Sequence, residues 1–238
     1  MRTVRADLHL HTCLSPCADA RMQAMAMVRQ AKKMGLDMIG ICDHNSAENV
    51  AAVVRAGTRE GLSVIPGMEI TSSEEVHILG LFKSEQEALR LQELVYGNLS
   101  GENSEEAFGP QTVIDEWDRV VGTNTRLLIG ATALTLEQVV DAIHAEAGLA
   151  IASHVDRERF SLVGQLGFIP KGLRLDAVEV SRSSAAGQDY DYPVLVSSDS
   201  HFLEDIGSNC TDFVIEDTSL DEIGKALRSQ MGRRIIVH

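Results

Sequence analysis

Histidines and carboxylates stand at the ends of short apolar segments along this chain. His9 and His11 close the apolar segment that begins at Val4, and on a strand two residues this far apart project from one face. Further members of the pattern are Asp43, His44, Glu69, His77, His154, Asp199 and His201. Imidazole binds divalent transition ions, and a carboxylate that bridges two ions offsets their repulsion while leaving positions open for water. The pattern predicts a metal centre with more than one ion, of a kind that suits hydrolysis.

Length and composition restrict the classes of protein to consider. With 238 residues, 44% of them hydrophobic, the chain can build one sizeable core, and we expect a single domain over residues 1–238. The formal net charge of -14 disfavours unaided binding to a phosphodiester backbone. Four cysteines are too few to cross-link a chain of this size with disulfides. No apolar stretch approaches the length of about 18 residues that a membrane-spanning helix needs. We therefore expect a cytoplasmic protein with reduced thiols and no membrane span.

Strand patterns and helix patterns alternate along the sequence. Strands are predicted over 4–10, 38–42, 62–66, 76–82, 149–153, 176–180, 194–197 and 213–215, and helices over 20–34, 47–60, 85–96, 135–147 and 220–231. Residues 97–132 give no clear pattern. Alternation of this kind favours parallel strands joined by helical crossovers, and hence an α/β fold.

The spacing of the candidate ligands favours a particular α/β arrangement. His9 and His44 are 35 positions apart and His44 and Glu69 are 25 apart, close to the roughly 30 residues of one strand–helix–strand unit. In a closed β/α barrel the ends of successive strands meet on one rim, whereas an open sheet would scatter them. The spacing therefore predicts a barrel whose rim carries the metal centre.

The ordered motifs of the chain resemble a known family, the polymerase and histidinol phosphatase (PHP) domain. The resemblance rests on residues 7–11, 42–44, 67–69, 77–80, 152–154 and 198–201, and it spans nearly the whole chain. It implies a distorted (β/α)7 barrel similar to a TIM barrel, which holds two or three divalent ions and hydrolyses phosphate esters. Zinc, manganese and iron are the ions common in that family, and the sequence leaves the choice among them open.

The same resemblance implies a set of ligands. The first ion would be held by His9, His11, Glu69 and Asp199, the second by Glu69, His77 and His154, and the third by Asp19, His44 and His201. Asp19 lies further from the paired histidines than the corresponding ligand usually does in the family. Cys13 and Cys17 lie near the site, and their role is left open.

A mechanism follows from the predicted ions and from nearby side chains. Bound ions lower the pKa of a coordinated water, so that metal-bound hydroxide attacks the phosphorus in line. Asp43, His44 or His201 would assist the leaving group, and we retain Asp43 and His201 as catalytic candidates. Arg157 and Arg182 follow predicted strands and are expected to bind the phosphate, since a guanidinium pairs well with phosphate oxygens.

Three functions remain open at this stage. The leading hypothesis is hydrolysis of a small-molecule phosphate monoester, because the acidic charge disfavours long nucleic acids. The second is a nucleoside 3′,5′-bisphosphate phosphatase, or a 5′-3′ exonuclease on short oligonucleotides, with nucleotides as partners. The third is a metal-binding domain without catalysis. The sequence does not predict an oligomeric state.

Overall fold

The computed structural model describes residues 1–181 and 190–236 of the chain. Within these ranges the strands are Arg2–Leu10 (β1), Met38–Ile41 (β2), Ser63–Thr71 (β3), His77–Leu81 (β4), Thr112–Ile114 (β5), Val120–Thr123 (β6), Leu149–Ala152 (β7), Ala177–Val180 (β8), Val194–Val196 (β9), Thr211–Ile215 (β10) and Arg234–Ile236 (β11). The α-helices are Ala24–Lys33 (α1), Val50–Glu60 (α2), Glu85–Asn98 (α3), Glu105–Phe108 (α4), Leu136–Ala145 (α5), Leu162–Leu166 (α6) and Leu220–Leu227 (α7). A 3-10 turn spans Leu203–Asp205.

Nine of these strands form one mixed sheet. Their order is β11-β10-β1-β2-β3-β4-β7-β8-β9. The strands β1, β2 and β3 run parallel to one another, as do β7, β8 and β9. In contrast, β4 is antiparallel to both of its neighbours, and β10 is antiparallel to β1. The strands β5 and β6 form a separate hairpin.

The large sheet curls so that β9, the strand at one edge, comes back to β1. Leu10, at the end of β1, forms a parallel bridge with Ser200, which follows β9. The amide of His11 donates to the carbonyl oxygen of Ser200 at 3.0 Å. This contact brings the ends of β1 and β9, which are far apart in sequence, to one rim.

The mixed α/β class predicted from sequence is confirmed, but seven regular β/α units are not seen in the described part of the chain. The strands β3 and β4 are joined by residues 72–76 alone, which is too short for a helical crossover, and they pair as an antiparallel hairpin. The pattern of alternating elements carries no information on strand direction. The sequence therefore overestimated how regular the parallel arrangement is.

An irregularity in β1 positions the first histidines. The register of β1 against β2 shifts between Asp7 and Leu10. Leu8 belongs to one apolar cluster of the core and Leu10 to the other, so the strand changes which face its side chains occupy. The neighbouring β2 has a glycine at this point, and a Cβ on Gly40 would lie 2.2 Å from the carbonyl oxygen of Leu8. Gly40 therefore makes room for the irregular part of β1.

Apolar packing and helix caps account for the rest of the scaffold. Ile223 of α7 packs with Val4 and Phe213 against the sheet. The predicted capping box at Thr135 and Gln138 is present and starts α5. None of the helices in residues 1–181 and 190–236 is long and apolar enough to cross a membrane.

Candidate metal centre

Glu69 lies at the centre of the histidines singled out from the sequence. The residue belongs to β3 and is only 1% exposed. Its Oε1 atom is 3.0 Å from Nδ1 of His77 and 3.3 Å from Nε2 of His154. Its Oε2 atom is 3.0 Å from Nδ1 of His44 and 3.4 Å from Nε2 of His11. One buried carboxylate thus faces imidazole nitrogens from the ends of four other strands.

Asp199 supplies a second carboxylate to the same cluster. Its Oδ1 atom is 3.3 Å from Nε2 of His9 and 3.1 Å from Nε2 of His11, while Nη1 of Arg157 contacts Oδ2 at 2.5 Å. Nδ1 of His201 lies 2.9 Å from the carbonyl oxygen of Asp199. Because a carbonyl oxygen only accepts, this Nδ1 carries a proton, and Nε2 of His201 is left free to bind a ligand.

Three overlapping groups of side chains have the spacing of metal sites. In each group the ligand atoms lie within 4.8 Å of one another, and the groups are His9, His11 and Asp199; His44, Glu69 and His77; and His11, His44 and His201. His154 joins the cluster through Glu69. The structure therefore brings together every ligand predicted from the sequence with the exception of Asp19.

Unpartnered atoms show that the cluster fits divalent ions. Oε1 of Glu69 and Oδ1 of Asp199 are buried and have no hydrogen-bond partner, and the same holds for Nδ1 of His44, His77 and His154. A buried polar atom without a partner costs about 1–3 kcal/mol. Imidazole nitrogens and carboxylate oxygens are the ligands that zinc, manganese and iron accept. Bound ions would satisfy these atoms.

Two members of the cluster, Glu69 and His11, have the charge states that metal ligands require. Burial alone would raise the pKa of Glu69, but His77 and His9 hold that pKa well below its usual value. Burial lowers the pKa of His11, and the neighbouring His201 and His44 lower it further. A carboxylate that stays ionised beside an imidazole that stays neutral is ready to coordinate an ion.

Outer contacts hold the paired histidines in place. Nδ1 of His9 lies 2.9 Å from Oε1 of Glu179, and Nδ1 of His11 lies 2.9 Å from Oγ of Ser15. Carboxylate or hydroxyl partners of this kind orient the ring and tune its basicity. The sequence analysis missed Glu179, although one signal was available. It is the only charged residue in the otherwise apolar strand β8, and it is 1% exposed.

Asp43, predicted to act in catalysis, lies behind the ligands. It is fully buried, and its carboxylate accepts hydrogen bonds from the amide and hydroxyl of Thr12 and from the hydroxyl of Ser15, all at 2.7 Å. Through Ser15 it is linked to His11. These contacts favour a role in positioning His11 rather than in moving a proton to the leaving group.

Asp19, predicted as a ligand of the third ion, has its carboxylate bound by an arginine. Oδ1 accepts from the amide of Arg21 at 2.8 Å and from its Nε at 2.9 Å. Arg21 in turn contacts Glu204 at 2.8 Å. Arg21, two residues further along the chain, therefore pairs with the carboxylate that was predicted to bind the third ion.

A cavity of about 300 Å³ opens onto the cluster. Its floor is formed by His44, Glu69, His77, His154, Asp199 and His201, and its walls by Cys17, Ile129, Arg157, Arg159 and Phe160. Arg157 thus lies where the sequence predicted it, and Arg159 joins it. Arg182, the other arginine predicted to bind phosphate, lies outside the described residues.

Cys17 differs from the other cysteines in its surroundings. Burial would raise the pKa of its thiol, but contacts with His44 and His201 lower that pKa to about 6. By comparison, burial raises the pKa of Cys13 to about 12. These two cysteines could not be told apart from the sequence, because only the folded loop brings Cys17 close to the histidines.

Two family models match the sequence. The model described as PHP domain matches residues 7–160, and a model described as PHP-associated matches residues 181–230. The first contains every candidate ligand except Asp199 and His201, and the second contains those two.

Relatives found by sequence include exoribonucleases. The chain is 25% identical to the 5′-3′ exoribonuclease Rnm of Escherichia coli over 198 residues, which cover 65% of this chain and 67% of that protein. A 5′-3′ exoribonuclease of Haemophilus influenzae is 29% identical over 82 residues, which are 33% of this chain and 29% of that protein. The chain thus spans less than a third of the length of one of these relatives.

Solved structures of endonuclease Q share the fold. The enzyme from Pyrococcus furiosus superposes with a TM-score of 0.71 at 20% identity, covering 98% of this chain and 58% of that one. An endonuclease Q in complex with a 27-mer duplex substrate with an abasic lesion at the active site gives a TM-score of 0.73 at 19% identity, again covering 98% and 58%. At such identity the likeness shows a common fold.

Proposed function

Because this chain belongs to the PHP domain family, we propose that it is a metal-dependent phosphoric ester hydrolase that acts on a small phosphate monoester. The observation that carries this proposal is Glu69, a buried carboxylate whose two oxygens face the nitrogens of five histidines. A purely structural glutamate does not need several imidazoles around it. A carboxylate that bridges metal ions does.

The proposed ligands follow the three groups of the cluster. His9, His11, Glu69 and Asp199 would hold the first ion, His77 and His154 would join Glu69 on the second, and His44 and His201 would hold a third. Bound divalent ions supply a nucleophilic water near neutral pH and neutralise charge on the phosphoryl group. Glu179 and Ser15 keep the paired histidines oriented for this task.

The arginines at the cavity wall are proposed to bind the phosphate. Nη1 of Arg157 already reaches Oδ2 of Asp199, so its guanidinium extends to the cluster, and 39% of its side chain remains exposed. Arg159 lines the same cavity. A guanidinium presents paired donors that match phosphate oxygens, and in this role both residues orient the substrate above the ligands.

The size and charge of the site favour a small substrate. A volume of about 300 Å³ is at the lower end of ligand pockets, which suits one phosphorylated metabolite rather than a polymer. The net charge of -14 repels a long phosphodiester outside the immediate reach of the arginines and the ions.

A second candidate function is hydrolysis of nucleotides, as a nucleoside 3′,5′-bisphosphate phosphatase or a 5′-3′ exonuclease on short oligonucleotides. One feature of the cavity favours it. Phe160 is 42% exposed, its ring stacks on His77 with centroids 4.9 Å apart, and its φ of +56° is uncommon for an aromatic residue. An exposed ring beside a phosphate site can stack a base. The exoribonuclease and endonuclease relatives agree with this alternative.

Release of phosphate from a substrate panel tests the proposal. The protein reconstituted with Mn²⁺, Zn²⁺ or Fe²⁺ is incubated with sugar phosphates, histidinol phosphate, mononucleotides, nucleoside 3′,5′-bisphosphates and short oligonucleotides. Asp199→Ala serves as the inactive variant, and Asp141→Ala removes an exposed carboxylate paired with Arg174 as the matched control. Selective turnover of small monoesters that Asp199→Ala abolishes supports the proposal.

The remaining outcomes separate the alternatives. Turnover confined to bisphosphates or oligonucleotides, with a raised KM in Phe160→Ala, favours the nucleotide function. No release from any substrate, with metal bound, favours a metal-binding domain without catalysis. Equal turnover by Asp199→Ala and the control Asp141→Ala contradicts the proposed site.

A further inference from the structure

We propose that the thiolate of Cys17 is a ligand of the third metal position, where it completes a set with His44 and His201. This inference rests on the proposed metal centre and names the residue that supplies the negative charge at its outer edge. It replaces Asp19, the carboxylate expected there from the sequence.

The first observation is the placement of the thiol. Cys17 lines the same cavity as His44 and His201, and its thiol lies beside both imidazoles. Backbone hydrogen bonds hold the loop that carries Cys17. The amide of Ala18 donates to the carbonyl of Ser15 at 2.9 Å, and the amide of Asp19 donates to the carbonyl of His201 at 2.9 Å.

The second observation concerns the histidines themselves. His44 is 6% exposed, and because its Nδ1 atom faces Oε2 of Glu69 at 3.0 Å, Nε2 is the ring nitrogen left for the third position. His201 keeps Nε2 free because its Nδ1 donates to a carbonyl. Both rings, together with His11, have ligand atoms within 4.8 Å of one another. The group of His11, His44 and His201 thus contains no carboxylate that could neutralise an ion.

The third observation removes the competing ligand. Asp19 accepts two hydrogen bonds from Arg21, whose guanidinium also contacts Glu204. Moving the carboxylate of Asp19 to the cluster would break this ion pair. Cys17 is not held by an ion pair of this kind, and its thiol already lies beside the imidazoles.

The other cysteines show what a structural thiol looks like in this protein. Sγ of Cys13 lies 3.7 Å from the carbonyl oxygen of Thr112, and Sγ of Cys42 lies 3.5 Å from that of Leu8. Both are buried in the core. Cys17 is the accessible cysteine, and it faces the histidines of the cavity.

A thiolate changes which ion this position prefers. Sulfur and imidazole together suit zinc, cobalt or ferrous iron, whereas manganese and magnesium favour sites of carboxylate and water oxygens. Binding of the ion displaces the proton of the thiol to solvent. We therefore expect the third position to select a softer ion than a site completed by aspartate would.

Cobalt spectroscopy tests this assignment without relying on activity. The full-length protein is stripped of metal and reconstituted with Co²⁺, and its near-ultraviolet absorption is compared with that of Cys17→Ser. We expect a thiolate-to-cobalt charge-transfer band in the original protein that Cys17→Ser lacks, together with loss of about one bound cobalt per chain. Cys210→Ser, which removes another free thiol, should keep the band.

A further variant separates ligation from a general effect on the loop. Cys17→Asp should restore the lost cobalt without restoring the band, because a carboxylate binds the ion but gives no sulfur transition. An unchanged band and cobalt content in Cys17→Ser would overturn the assignment, as would the absence of a band in the original protein.

The result is also distinguishable from a failure of the proposed function. Hydrolysis of the substrate panel by a protein without the thiolate band would overturn this inference and leave the hydrolase proposal intact. A thiolate band in a protein that hydrolyses nothing on the panel would support the ligand assignment while defeating the proposed function.

Discussion

Two buried glutamates, Glu69 of β3 and Glu222 of α7, have contrasting surroundings. Glu222 of α7 receives a hydrogen bond from Nε of Arg233 at 2.9 Å, from Nζ of Lys225 at 2.7 Å and from the amide of Glu216 at 2.8 Å. Glu69 faces imidazoles that belong to the same cluster, and its Oε1 has no hydrogen-bond partner. Cations from the chain satisfy the first carboxylate, whereas the second needs cations from elsewhere. The contrast separates a residue that stabilises the fold from one that serves chemistry.

The largest effect is expected from neutralising the central carboxylate. Glu69→Gln keeps the size of the side chain but removes the charge that would bridge two ions. We expect kcat/KM for the substrate that is hydrolysed to fall by about a thousandfold, the upper range for loss of one electrostatic stabiliser. The thermal midpoint of the metal-free protein should hardly change, which differential scanning calorimetry would show.

The corresponding change in α7, Glu222→Gln, should affect stability instead of activity. This variant should lower the thermal midpoint, because Arg233 is left buried without its full partner, while the activity of the folded fraction stays the same. If both variants lost activity equally, or both lost stability equally, the two carboxylates would not have the separate roles assigned here.

A smaller effect is expected from the residue that orients His9. Glu179→Gln keeps a hydrogen-bonding atom near Nδ1 of His9 but removes the charge. Losses of this kind typically cost about 10–100-fold in metal affinity or activity. Titration of the metal-free variant with Zn²⁺ would measure the change. Affinity equal to that of the original protein would show that Glu179 is only a buried structural residue.

The irregular part of β1 can be tested through Gly40. In Gly40→Ala the new Cβ would meet the carbonyl oxygen of Leu8, and both atoms belong to packed strands. We expect a loss of about 1–3 kcal/mol in the free energy of unfolding, measured by urea denaturation. Gly97→Ala, at an open position of α3, is the matched control and should be neutral or slightly stabilising. Equal behaviour of the two variants would argue against the close approach of β1 and β2.

The smallest effect concerns acid stability. Hydrogen bonds from Arg233 and Lys225 lower the pKa of Glu222 to about 2. A lowered pKa in the folded state means that the stabilisation is complete above the pKa of the unfolded chain, about 4.3, and is lost as pH falls toward 2. Unfolding measured between pH 5 and 2 should therefore be less steep in pH for Glu222→Gln. Identical slopes would contradict the contribution of this ion pair.

Much of the site could be predicted from the sequence because its ligands stand at strand ends. Each of His9, His44, Glu69 and His154 closes or follows an apolar segment, and parallel strands bring such positions to one rim. The motifs that carry the resemblance to the PHP family predicted the remaining candidate ligands, among them Asp19, which the structure instead pairs with Arg21. The family match confirmed that resemblance.

Features that depend on contacts between residues distant along the chain could not be predicted from the sequence. Glu179 reaches His9 across 170 positions, and the placement of Cys17 against His44 depends on the fold of its loop. Asp19 looked like a ligand until the structure showed Arg21 bound to it. The strand Val120–Thr123 was not predicted because its residues are all exposed and do not alternate between buried and exposed positions. That residues 1–238 form one domain stays a prediction, supported by the pairing of β10 with β1.

Metal content is the most direct test of the central claim, that Glu69 bridges ions held by the surrounding histidines. The purified protein, Glu69→Gln and Glu222→Gln would be loaded with Zn²⁺, desalted and analysed by inductively coupled plasma mass spectrometry. We expect about two to three ions per chain in the original protein and in Glu222→Gln, and at most about one in Glu69→Gln. Equal metal content in all three proteins would contradict the account.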